Sequence, residues 1–466
     1  MKAASVAVWA IPLLASFVAR TRRRPDMARG AAIAALAVSF ALSLVLVVVS
    51  EPRVTPGVFM GADEMSSVLL VSACGTALAV LIGAPRASFD SRLTADLLVV
   101  AAATLGVLVS NHVVAFLLWW CLPLLPLARE ARRSQGPAAR RAVVFLGVLS
   151  VAPMVLALGL AALGARVGAP ELGLDLASLA TSPFVKSWQV PLGSMAVIAV
   201  ATRAGVFPFH LWIPAVVERM RLPMALPVVV SPLGSFAAVK VLLVLFPQVV
   251  RDFGSFFVVW GTVSACYGAL LALGRDDVRR QLGFVWVSAV GSVLAGIGTS
   301  NDLALSGALF HDVIVAIALT GLLLIAGGVQ ARLGTSDMRR MGGLVRRTPR
   351  LATAYLLLGL AVVSFPGTAG FVSEHLLIQG LHEINPVVAI VLLAATAVNG
   401  IALVRSYKRV FLGPPADGGQ ALRGLDDTLP RESRVLAALV VLLFVGWLFP
   451  TPLLRVRESV TAVLQP

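Results

Sequence analysis

Arg203, Lys240, the adjacent pair His311 and Asp312, and Glu374 are ionisable side chains set inside long apolar runs of a 466-residue chain. A carboxyl, an imidazole or a buried amine can exchange protons near neutral pH once burial shifts its affinity. A guanidinium stays protonated and supplies fixed positive charge instead. That set of groups points to proton or cation transfer. Such residues cost about 3 kcal/mol each at the centre of a bilayer, so they are functional candidates there. Plainer roles stand beside the functional ones. Asp312 can pair with His311 or with a cation. Lys240 can snorkel, although it lies well inside its run. His112 reads as interfacial, and His210, two residues after Pro208, reads as a brace for a helix break more than a proton carrier. The chain shows no glycine-rich nucleotide loop, metal-ligand cluster or nucleophile elbow. It is not expected to be catalytic by itself or to hold a cofactor or metal. Cys74, Cys121 and Cys266 all fall in apolar runs and read as small hydrophobes.

The elements that position these residues follow from composition. Hydrophobic residues make up 58% of the chain and charged residues 13%, where a soluble protein carries about 25% charged. Apolar stretches of roughly 20 residues recur throughout, the length that crosses a hydrocarbon core. They do not alternate, which excludes a β-barrel. The reading is an all-α polytopic membrane protein with about fourteen spans, near 3–19, 30–50, 64–84, 94–110, 112–128, 141–165, 189–208, 223–247, 254–274, 278–299, 303–328, 351–381, 386–411 and 434–454. The first run is followed by Arg20, Arg22, Arg23 and Arg24, as for a span and not a cleaved leader. Of the 38 lysines and arginines, 29 fall in segments on one side, seven on the other, and two, Arg203 and Lys240, inside spans. That bias places both termini on the outer side of a bacterial-type inner membrane. The net charge of +15 sits in short loops between spans, so nucleic acid is not an expected partner.

Two spans carry helix breakers. Pro208 and Pro214 interrupt span seven, and Pro366 and Gly367, within Ser364–Gly370, interrupt span twelve. Interrupted spans at corresponding positions of two halves point to inverted repeats. The breaks lie five spans apart, which makes two inverted five-helix units of spans 4–8 and 9–13. The expected organisation is an N-terminal three-span segment over 1–93, repeats over 94–247 and 254–411, and a loop with a last span over 412–466.

Six stretches carry a family likeness: GVFMGADEMSSVLL (57–70), FPFHLWIP (207–214), RDDVRRQLGFVWVSAVG (275–291), TSDMRRMGGL (335–344), FPGTAGFVSE (365–374) and SYKRVFLG (406–413). In order and spacing, over residues 57–454, the chain resembles the proton-antiporter-like membrane subunits of respiratory complex I and of multi-subunit cation/proton antiporters, the M-type subunit above all. The resemblance implies partners in other membrane subunits, a bilayer environment and movement of H+ or Na+. It also implies a proton axis in which a span-five glutamate pairs with a span-seven lysine and a span-eight lysine leads on through span eleven to a span-twelve acid or lysine. The span-five position falls on Cys121 in WWCLPLLP, and the span-seven lysine on Arg203. The span-eight lysine falls on Phe236, with Lys240 one turn later on the same helix face. His311 and Glu374 keep their positions, while later span-eleven positions become Val315 and Leu319.

With Cys121 neutral and Arg203 unable to release its proton, the family's ion-pair switch is disabled in its usual form. No acid is expected in spans four to six to replace the glutamate. Arg203 is left to Asp312, Glu374, Glu218, a backbone carbonyl or another subunit. Three readings follow: an antiporter-like subunit of a complex I-like or Mrp-type assembly with a modified proton path, the membrane partner of a two-component inorganic-carbon uptake system, or a structural subunit that has lost transport.

Overall fold

The computed structural model describes residues 2–22, 24–51, 57–134, 136–414 and 425–448. Every regular element among them is helical. In chain order they are α1 (Lys2–Thr21), α2 (Pro25–Val49), α3 (Glu64–Gly83), α4 (Ser91–Leu108), α5 (Val113–Cys121), α6 (Leu124–Arg133) and α7 (Ala138–Gly168). Two short helices follow, α8 (Leu176–Thr181) and α9 (Pro183–Ser187). The chain continues with α10 (Gln189–Ala204), α11 (Trp212–Arg219), α12 (Leu222–Val229), α13 (Leu233–Ala237), α14 (Pro247–Leu273), α15 (Val278–Gly298) and α16 (Asp302–Leu333). The last are α17 (Pro349–Val362), α18 (Ala369–Ile384), α19 (Pro386–Tyr407) and α20 (Pro430–Leu448).

Twelve segments are long and apolar enough to cross a membrane, four of them built from consecutive helical pieces. The interrupted α17–α18 stretch and α20 make up the rest of the long apolar chain; the end of the expected last span, at 449–454, lies outside the described residues. Local sequence explains where helices start. Asp63, Asp90, Asp277 and Asn301 each accept a hydrogen bond from a backbone N–H of the first turn, the role short polar side chains fill at an N-cap.

Four segments are broken. Span seven breaks as expected: α10 stops at Gly205, whose φ of +88° is left-handed and suits glycine. Span twelve also breaks as expected, between Val362 and Ala369, with Gly367 at φ +95°. Two further breaks lie outside the expected pair. The fifth span divides at Leu122-Pro123 into α5 and α6, and the eighth divides at Val230–Pro232 into α12 and α13. After α13 the eighth span widens into a π-helical segment, Ala238–Leu243, and α19 ends in another, Lys408–Leu412.

The interior is built on α15 and α16, buried along nearly their whole length. Helix α14 lies against α15 with almost no side chain between them. A Cβ at Gly261 would stand 2.4 Å from the Ala295 nitrogen, and one at Gly291 2.4 Å from the Ala265 nitrogen. Small residues that let backbones approach this closely drive helix packing in lipid. The outward faces of α7 and α14 expose Val144, Leu163, Phe256 and Val259, as a lipid- or subunit-facing surface does.

Buried charges tie helix ends together. Arg29, 6% exposed, donates to the Leu81, Ile82 and Ala84 carbonyls at 2.6, 3.1 and 3.1 Å, filling the orphan acceptors at the end of α3. Arg332 on α16 pairs with Glu432 on α20 at 2.7 Å. Arg221 grips both oxygens of Glu130 at 2.7 Å each and Asp90 at 3.0 Å.

Candidate functional site

The interrupted segments bring polar atoms into the interior without leaving their backbones unsatisfied. At the first break, Phe207 N–H donates to Ser264 Oγ at 3.1 Å, Trp260 Nε1–H donates to the Phe207 carbonyl, and Trp212 Nε1–H to the Thr202 carbonyl at 2.7 Å. Neighbouring helices thus supply what proline takes away. His210 beside Pro208 is 2% exposed and enclosed by the rings of Phe207, Tyr267 and Phe284. Its Nδ1 has no hydrogen-bond partner among the described residues. At the second break, Phe365 N–H reaches the Leu360 carbonyl at 2.9 Å, while the Thr368 hydroxyl donates to the Phe365 carbonyl at 2.8 Å. Pro366 and Gly367 lie between those two bonds, where the chain leaves α17 and enters α18.

Arg203 is buried at the end of α10, and none of the three acids expected for it holds it. Asp312, Glu374 and Glu218 are each engaged elsewhere, Glu218 with Arg219 and Arg280. No backbone carbonyl takes up its Nη1, which has no partner among the described residues. The guanidinium instead lies 5.1 Å over the ring of Trp120, whose Nε1–H is fixed on the Ser150 carbonyl at 2.9 Å. A cation held over an indole face in a desolvated site is attracted by about 2 kcal/mol. Trp120 is the residue next to Cys121, so the fifth span meets the cation with a ring face. The expectation that spans four to six hold no acid also fails. Asp96 lies inside α4 and Glu130 inside α6, but Asp96 pairs with Arg129 and Glu130 with Arg221, so neither reaches Arg203.

Lys240 has a carboxylate partner that the sequence reading did not assign. It forms an ion pair with Asp63, with the two side chains 13% and 6% exposed. Asp63 is held in turn by the Ser66 N–H at 2.8 Å and the Ser66 hydroxyl at 2.6 Å. The pair stands at the start of α3, so Lys240 lies near an end of its span and not in the middle as its sequence position suggested. The π-helical segment that carries Lys240 is the kind of local widening that recurs at functional sites.

Three side-chain contacts join the helices that carry the other candidates. Ser235, on α13 just before the π segment, donates to Asp312 of α16 at 2.6 Å. Next along α16, His311 Nδ1 meets the Ser373 hydroxyl of α18 at 3.4 Å. Ser373 adjoins Glu374, which accepts from Thr396 of α19. Asp312 borders an enclosed cavity of about 30 Å³, also lined by Ser231, Ser235, Ala201, Ala204 and Trp286. That is room for about one water. Glu374 borders a second, open cavity of about 470 Å³, with Ser364, Phe371, His375 and Thr396. Phe236, at the position of the family's span-eight lysine, is fully buried and apolar, and so is Leu319. Asp63, Ser235, Ser373 and Thr396 escaped the sequence reading. The one signal available was that Asp63 lies within GVFMGADEMSSVLL, a stretch already singled out.

Residues 110–399 match the family described as NADH:quinone oxidoreductase/Mrp antiporter, transmembrane. The chain is 26% identical over 420 residues to NAD(P)H-quinone oxidoreductase chain 4 of Acaryochloris marina, covering 87% of this chain and 78% of that protein. Alignments to other curated relatives span about half of their length. In fold it is similar to a chain of respiratory complex I from Thermus thermophilus with bound NADH, with a TM-score of 0.87 at 20% identity, covering 99% of this chain and all of that one. It is similar to the same degree to a chain of the Mrp complex from Dietzia sp. DQ12-45-1b, with a TM-score of 0.85 at 19% identity, covering 100% and 98%.

Proposed function

The chain belongs to the NADH:quinone oxidoreductase/Mrp antiporter transmembrane family, as an antiporter-like, multi-pass membrane subunit, and from that premise we propose that it moves protons along a path whose ion-pair switch has been relocated. The observation that carries this reading is the buried Lys240–Asp63 pair together with the polar steps from Ser235 to Asp312, His311, Ser373 and Glu374. A lysine next to a carboxylate in a low-dielectric site can trade between a charged pair and a neutral one, which moves a proton and changes the field felt further along. Arg203 supports the path as a fixed charge over Trp120 and takes no proton from it. His210 and Cys121 serve packing, and Pro208, Pro366 and Gly367 open the helices that carry the path. Other membrane subunits of a complex I-like or Mrp-type assembly are the partners this reading requires.

The two units over 94–247 and 254–411 are read as inverted repeats. Their seventh and twelfth spans break alike, and the last helix of each unit ends in a π segment. Both termini are assigned to the outer side on the bias of 29 against seven cations. Labelling of single cysteines placed at Lys2 and Arg339 with an impermeant reagent tests the orientation: outer access at Arg339 reverses it.

Proton flux in liposomes holding the complex tests the path. Lys240→Ala is expected to lower flux at least tenfold and Lys186→Ala, in the short helix α9 before α10, to leave it unchanged. Equal flux in the two variants removes Lys240 from the path. Wild-type flux in both Lys240→Ala and Glu374→Gln leaves the structural-subunit reading.

A further inference from the structure

The arginine-rich side of the protein holds a cluster of cations that the proton path does not use. Arg29 of α2 spends Nε and Nη2 on the carbonyls at the end of α3 and lies 4.5 Å over the ring of Phe89. Its Nη1 is buried and has no partner among the described residues. Arg431, in the first turn of α20, has Nε and Nη1 both buried and without a partner among the described residues. Helix α20 brings Arg431 toward the end of α3 that Arg29 caps. Val435, one turn further along the same face, sits against Gly83, the last residue of α3, where a Cβ would stand 3.4 Å from it. Arg86 follows three residues after Gly83. Arg86 also lies two residues after Ala84, whose carbonyl Arg29 holds at 3.1 Å.

Glu432 is committed to Arg332 and to the Leu429 N–H, and Asp26 lies in the first turn of α2. Like charges gathered at one helix end repel, and an arginine cannot relieve that repulsion by losing its proton. A planar guanidinium with free N–H groups matches the oxygens of a phosphate. Arg86 is exposed, so the cluster opens to the surface. It does so at helix ends, the level of lipid headgroups, where basic pockets between helices recruit anionic lipid.

We propose that Arg29, Arg86 and Arg431 form a phosphate-binding site between the ends of α2, α3 and α20, filled by the headgroup of an anionic phospholipid. Free phosphate shares that chemistry, and the measurement separates the two. The full-length protein in detergent is titrated with phosphatidylglycerol, with phosphatidylcholine and with inorganic phosphate, and bound ligand is read by native mass spectrometry. Retention of phosphatidylglycerol above phosphatidylcholine is expected, falling roughly tenfold or more in Arg86→Gln/Arg431→Gln. Arg140→Gln, an exposed cation at the start of α7, keeps wild-type retention. Neither Arg86 nor Arg431 donates a side-chain hydrogen bond within the described residues, so the double variant is expected to fold; its thermal unfolding checks this, and Arg431→Gln alone serves if it does not. Equal retention of phosphatidylglycerol in the double variant and the wild type overturns the site. Equal retention of the two lipids, with inorganic phosphate bound, overturns the lipid as its occupant.

Discussion

At the scale of single residues, charge placement divides the site into a part that can exchange protons and a part that cannot. Lys240 and Asp63 hold each other, whereas Arg203 has only the face of Trp120. Asp63→Asn is therefore expected to lower flux about as much as Lys240→Ala, and the double variant no further, because both remove one pair. Additive losses in flux would separate the two residues. The fixed networks make a different prediction. Removing Arg221 leaves Glu130 buried, 2% exposed, without its bidentate partner. Arg221→Ala is expected to destabilise the fold by about 3 kcal/mol, read as a fall in unfolding temperature, while Arg140→Ala leaves it unchanged. Arg203, Lys240, His311, Asp312 and Glu374 could all be picked out from the sequence, because a charge in an apolar run is conspicuous. Their partners could not. Asp63 and Lys240 lie 177 residues apart, and nothing in either neighbourhood names the other. Asp96 is less conspicuous because it stands at the edge of its apolar run, the third residue of 94–110, where a charge reads as the boundary of a span.

At the scale of elements, breaks signalled by proline and glycine were legible and changes of helical pitch were not. Pro208 and the Pro366-Gly367 pair marked two broken spans. Pro232 and the Leu122-Pro123 step marked two more that went unread, since the apolar runs around them continue without interruption. A π segment carries no side-chain signature, because it inserts a residue into the hydrogen-bond ladder without changing composition. Its effect is large all the same. Each residue turns an α-helix by about 100°. Deleting Ala238 is thus expected to restore regular pitch, swing the following side chains away from Asp63 and lower flux like Lys240→Ala; wild-type flux would show that the π segment does not aim the lysine. The contact between α14 and α15 rests on different physics. Gly291→Val is expected to force the helices apart and cost roughly 1–3 kcal/mol or more, seen as lower thermal stability. A control at the exposed Val259 of α14, Val259→Leu, leaves it intact.

At the scale of the whole molecule, side-chain contacts run across the bundle from α13 through α16 to α18 and α19, and end at the open cavity by Glu374. The fold class and the membrane setting could be read from composition and apolar run lengths, since these are sums over many residues. The route across the bundle depends on which helices touch, and that is settled by long-range packing. Helix α20 closes this architecture from the far end of the described chain, through Arg332–Glu432 and through Val435 against Gly83. Translation makes α2 and α3 well before α20. Until α20 emerges, Arg332 lacks its Glu432 partner and Gly83 lacks the Val435 side chain that packs on it. Helix α20 therefore works as a latch, set only after the rest of the described bundle has been made.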